Sequence, residues 1–150
     1  MRRAASGFTL VELLVVFAIM GLLVSIVPGS FDKLRDGTQY RDTLRSMLSD
    51  LRDARQRASA EGREIRFKID LAQRRYGIDG ATPRAIPESL QVRATVAGKE
   101  LTPDSVAAIR FLPQGGATGG SIDLVRAAGN GIRLRVDWLS GQVTQEPLAP

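Results

Sequence analysis

Residues 1–30 read MRRAASGFTL VELLVVFAIM GLLVSIVPGS, and this stretch decides the fold. Arg2 and Arg3 come first, and from Phe8 to Val27 the only charged residue is Glu12. As a helix that run spans roughly 30 Å, about the thickness of a bilayer's hydrocarbon core. The leading arginines keep its N-terminal side in the cytoplasm. A secretory signal peptide shares the basic start and apolar middle. It also needs small residues at a cleavage site, and Val27-Pro28-Gly29-Ser30 places a proline there. A plain membrane anchor accounts for the length and leaves Glu12 unexplained. A carboxylate in an apolar helix costs up to about 3 kcal/mol and normally has a partner.

Beyond Val27 the apolar pattern becomes a stripe. Tyr40, Leu44, Met47, Leu48, Leu51, Ala54 and Ala58 recur at helical spacing, with mixed charge on the opposite face, including Asp42/Arg45 and Asp53/Arg57. Gly62 is a helix stop. A helix from Phe8 to about Ala60 would measure roughly 80 Å. Pro28-Gly29 interrupts it, either as a kink or melted turn or as the boundary between two helices, and Gly37 weakens it again.

After Gly62 the period switches to two. Ile65, Phe67, Ile69 and Leu71 alternate with polar residues, and a turn near Gln73-Arg74 leads to Tyr76 and Ile78. Leu90, Val92, Ala94 and Val96 form a further strand ending in a turn over residues 97–100. Ile109 with Phe111, and Ile122 with Leu124, mark two more. Asn130-Gly131 predicts a hairpin turn into Ile132, Leu134, Val136 and Trp138. Ser140-Gly141 turns into a last short strand at Val143, and residues 146–150 read as a frayed tail. The fold class is α+β: a long N-terminal transmembrane and amphipathic helix packed on a small antiparallel β domain of six or seven strands, in one or two sheets. The helix stripe must join the core, because about 90 residues of β structure bury too little alone.

Composition excludes much chemistry. The chain has 150 residues, 21 basic and 16 acidic, with no His and no Cys. There is no thiolate or imidazole for a metal site, redox pair or catalytic triad. The run Gly115-Gly116-Ala117-Thr118-Gly119-Gly120 lacks phosphate-loop spacing and precedes a strand, so it reads as a flexible inter-strand loop. No catalytic residue, metal or cofactor is expected, and the chain is not read as an enzyme.

The octapeptide Ser6-Gly7-Phe8-Thr9-Leu10-Val11-Glu12-Leu13 resembles the signature of the type IV pilin-like family. The resemblance implies cleavage between Gly7 and Phe8 by a prepilin peptidase, N-methylation of Phe8, and an assembly role for Glu12. It divides the chain into a leader over 1–7, a transmembrane and assembly segment over 8–30, an amphipathic helix over 31–62 and a periplasmic β domain over 63–150. Further on, Ala108-Ile109-Arg110-Phe111-Leu112-Pro113-Gln114-Gly115, Ile122-Asp123-Leu124 and Ile132–Val143 look like the minor pseudopilin H family of type II secretion systems. That implies a single-pass inner-membrane subunit with a cytoplasmic N-terminus, assembled in a periplasmic pseudopilus that supports export of folded proteins across the outer membrane. Implied partners are the peptidase, major and minor pseudopilins, the inner-membrane assembly platform and membrane lipid.

The alternative is a minor pilin of a type IV pilus or competence system that binds DNA. Competence-type relatives often carry cysteines near the C-terminus, and this chain has none. Removing residues 1–7 leaves 19 basic against 16 acidic residues. The candidate DNA contacts are Arg66, Lys68, Arg74 and Arg75 on one hairpin, and an ordinary solvated hairpin is the favoured reading of them. Nucleic acid is therefore the disfavoured partner.

Overall fold

The computed structural model describes residues 9–26, 28–96, 99–100 and 106–148. The leader, the Gly7-Phe8 junction and residues 97–98 of the turn read over 97–100 lie outside them. The chain divides into two units, residues 1–38 and 39–150.

The first unit holds α1 (Leu10–Ile26) and the start of α2 (Pro28–Glu61). α2 begins on Pro28, whose missing N–H is harmless in a first turn. Pro28 and Gly29, read as an interruption, are both helical, at the start of α2. Val27, where any kink or melted turn would fall, is outside the described residues. α2 closes at Gly62, whose φ of 63° is the left-handed conformation that glycine adopts without steric cost.

The second unit begins within α2. Tyr40, Met47, Leu51, Ala54 and Ala58 are buried, with Leu44 and Leu48 packed at the margin. Thr43, on the same face, is buried with them. Ala54 and Ala58 are fully buried. On the outer face Arg57 pairs with Asp53 at 2.8 Å.

Nine strands follow among the described residues: β1 (Ile65–Asp70), β2 (Arg75–Ile78), β3 (Arg84–Ala85), β4 (Leu90–Val96), β5 (Lys99–Glu100), β6 (Val106–Phe111), β7 (Gly120–Arg126), β8 (Gly131–Val136) and β9 (Val143–Leu148). Two of them, β3 and β5, are only two residues long, which leaves seven of the length the alternation predicts. They form two antiparallel sheets, ordered β3-β2-β1-β6 and β5-β4-β7-β8-β9. A bridge between Phe111 and Ala117 closes the return from β6 toward β7. Phe67, Ile69, Ile109 and Phe111 of the first sheet and Ile122, Leu124 and Leu134 of the second share one core with the α2 stripe.

Several local readings are corrected. Gly131 belongs to β8, and the turn lies earlier, where Arg126 donates its N–H to the Asn130 carbonyl at 2.9 Å and Gly129 takes a φ of 88°. A Cβ at Gly131 would run into the Leu124 carbonyl oxygen, so glycine is needed there for close strand approach. Lys99 and Glu100, read as part of the turn over 97–100, pair antiparallel with Val96 and Thr95. β9 continues to Leu148 in register with Gly131, so the frayed tail is ordered strand as far as that residue. β8 ends at Val136, and Trp138, read as its next inward residue, is 67% exposed.

Arg74 ties the two sheets' connecting segments together. It sits at φ 50°, unusual for a residue with a Cβ, in the turn between β1 and β2. Its guanidinium donates to the carbonyls of Pro87 at 2.6 Å and Leu90 at 2.7 Å. Arg74→Ala removes both charged hydrogen bonds from a partly buried site and is expected to cost about 1.5–3 kcal/mol. Thermal unfolding of the detergent-solubilised chain checks this, and an unchanged midpoint would contradict it.

Candidate functional site

α1 differs in kind from α2: it is apolar on every side, and its residues from Leu10 to Leu23 are exposed. A helix without a polar face has no soluble packing arrangement of its own and suits an apolar surrounding. Among the described residues, though, no helix is long and apolar enough to cross a membrane; α1 covers 17 residues. Its first turn holds Glu12, the carboxylate singled out by the sequence. Glu12 donates its backbone N–H to the Thr9 hydroxyl at 3.3 Å, and Leu13 donates to the Thr9 carbonyl at 3.2 Å. Thr9 is therefore the N-cap and Glu12 the third helical residue, the Thr-x-x-Glu spacing of a capping box. That role was readable from the spacing and was missed. The helix end also favours a negative charge at this place. Gly7 and Phe8 lie outside the described residues.

The hairpin cations are dispersed in their roles. Lys68 Nζ lies 2.7 Å from Asp79, and this contact holds the Asp79 carboxyl below the usual carboxylate range. Arg66 and its cross-strand neighbour Arg110 both approach Glu64 at 3.6 Å. Arg74 turns to the Pro87 and Leu90 carbonyls, and Arg75 is exposed on β2 opposite Asp70. The result is a mixed-charge sheet face. Among the described residues there is no cluster of three or more acidic side chains that could hold a metal.

The Gly-rich run is a hydrogen-bonded turn, not a loose loop. Ala117 donates to the Trp138 carbonyl at 2.9 Å and Thr118 to the Arg110 carbonyl at 2.9 Å. A Cβ on Gly116 would lie 3.0 Å from the Trp138 carbonyl oxygen, and one on Gly119 3.0 Å from the Trp138 Cβ. Opposite it, Asp137 Oδ1 accepts from the Ser140 N–H and hydroxyl, both at 2.8 Å. Those bonds, the backbone one foremost, hold the Asp137 carboxyl below its ordinary range.

Comparison with known proteins follows the same division. Residues 43–141 match the family described as "Type II transport protein GspH", and residues 2–28 match the "Prokaryotic N-terminal methylation motif". The "Type II secretion system protein H" of Xanthomonas campestris is 35% identical over 150 residues, covering 98% of this chain and 86% of that protein. Two structures of the minor pseudopilin EpsH from the type II secretion system of Vibrio cholerae share the fold at a TM-score of 0.54, with 19% and 20% identity. Each covers 75% of this chain, with 98% and 95% of the respective EpsH chain matched. An N-terminal methylation motif on such a subunit implies a membrane-anchored periplasmic protein. The chain belongs to the GspH family, whose members are structural subunits, minor pseudopilins of the type II secretion system.

Proposed function

We propose that the chain is cut between Gly7 and Phe8 by a prepilin peptidase, methylated on the Phe8 amine and then drawn from the inner membrane into a periplasmic pseudopilus. The observation that carries this is the start of α1: an all-round apolar helix whose first turn holds one carboxylate, immediately after the Gly7-Phe8 junction. The mature amine would sit four residues from Glu12. In a low-dielectric setting such opposite charges attract strongly. Glu12 of one subunit neutralises the Phe8 amine of its neighbour, so two costly charges become a docking contact. The membrane segment runs from Phe8 through α1 toward Pro28, in a single pass with the N-terminus cytoplasmic and the β head periplasmic. Partners are the peptidase, other major and minor pseudopilins, the assembly platform and surrounding lipid, and the filament supports export of folded proteins across the outer membrane.

Intact-mass and N-terminal sequencing of the chain isolated from its host test the processing step. The expected species begins at Phe8 and carries a methyl group on its amine. A chain beginning at Met1, or one beginning near Phe31, would sink the reading.

A further inference from the structure

Outside α1, the exposed large apolar side chains among the described residues are Val106, Leu112, Trp138 and Leu139. The last two are consecutive, 67% and 70% exposed, at the tip of a turn fixed on every side. Asp137 closes the turn internally, and Gly141 donates to the Asp137 carbonyl at 2.9 Å. The Gly-rich turn holds the Trp138 carbonyl from one flank, and Arg55 Nε of α2 donates to the Ser140 carbonyl at 3.1 Å from another. Such a turn presents two large apolar groups on a backbone whose ordering cost is already met.

Arg55 also links the turn to a groove of about 610 Å³ between α2 and the edge strand β9. Arg52 and Arg55 line its helix side, Gln142 and Thr144 its strand side, and no carboxylate lines it. An apolar tip beside a cationic groove calls for a partner with the opposite arrangement. A rigid aromatic anchor with charge at its rim is the usual composition of an energetically dominant contact.

We propose that the Trp138-Leu139 turn and the adjoining Arg52/Arg55 groove form one docking surface for the head of a neighbouring pseudopilin, which inserts carboxylates into the groove and receives the two apolar side chains in a recess. This deepens the filament assignment above and rests on it.

The test places a photo-cross-linking residue at Leu139 in the full chain expressed in its host, with a control at exposed Gln91 on β4. The expected adduct from position 139 joins a second, different chain carrying an N-terminal methylation motif. Trp138→Ala and Arg52→Glu should each cut its yield at least fivefold, and Arg52→Lys should hold it within twofold. Protease resistance of each head serves as the folding control. Should Trp138→Ala fail that control, the decision passes to Arg52→Glu. Absence of a position-139 adduct while Gln91 cross-links a pseudopilin would overturn the surface and leave the filament assignment standing. So would yields unchanged in the folded variants, or an adduct only to lipid. Absence of any pseudopilin adduct, with secretion unaffected by deletion of the chain, would overturn both.

Discussion

Glu12→Gln should leave membrane insertion, leader cleavage and head folding intact and reduce incorporation into the pseudopilus at least tenfold. Glutamine suits the third helical position of a capping box as glutamate does, so the helix start at Thr9 survives. What it removes is the charge. An ion pair near a protein surface at about 4 Å is worth about 4 kcal/mol before desolvation, and tenfold needs only about 1.4 kcal/mol of that. Glu12→Leu should fail in the same way while making the segment more apolar. Cross-linking to filament neighbours measures incorporation. Normal cross-linking of both variants would show that Glu12 serves the helix end alone.

The periodic parts of the chain were legible because burial repeats with the geometry of the element. The Tyr40–Ala58 stripe and the alternation from Ile65 to Ile69 each report one buried face, and the structure buries those residues together. The errors fall where backbone geometry overrides side-chain pattern. Alternation through Val136 and Trp138 continues in sequence, but Asp137 captures Ser140 and turns the chain, so Trp138 emerges into solvent. The Asp-x-x-Ser-Gly spacing at 137–141 signalled that turn. Asn130-Gly131 looked like a tight turn, yet Gly131 is needed inside β8 for approach to Leu124. β3 and β5 carry too few residues for any alternation to register. At the N-terminus, the carboxylate was found through its cost in an apolar helix, and the bond from the Glu12 backbone N–H to the Thr9 hydroxyl was overlooked.

Phe67→Ala should destabilise the head by about 3–5 kcal/mol, the range for truncating a buried aromatic side chain. Phe67 is fully buried on β1, between Ile78 of β2 and Ile109 of β6, with its ring centroid 6.1 Å from that of Tyr76. Truncation opens a cavity at the place where the α2 stripe and both sheets share their core. Domains of this kind hold about 5–15 kcal/mol in total, so the loss threatens the folded state itself. Val106→Ala, on an exposed residue in the neighbouring strand, should stay within about 0.5 kcal/mol. Denaturant unfolding of the two variants side by side separates the cases, and equal midpoints would contradict the shared core.

The strand order of the second sheet has a consequence for biogenesis. β9 supplies the outermost strand, pairing with β8 from Gly131↔Leu148 to Val136↔Val143. Until it docks, β8 is a bare template for any passing strand. A ribosome that stopped at Gln142 would release a head with its helix and eight earlier strands in place and an adhesive margin. Such a product would be cleared by proteases or would aggregate. The adjacent hairpin limits this hazard, because strands joined by a short turn meet within microseconds, ~1–10 μs. The vulnerability of the head thus lies with the few residues of β9 that seal its margin.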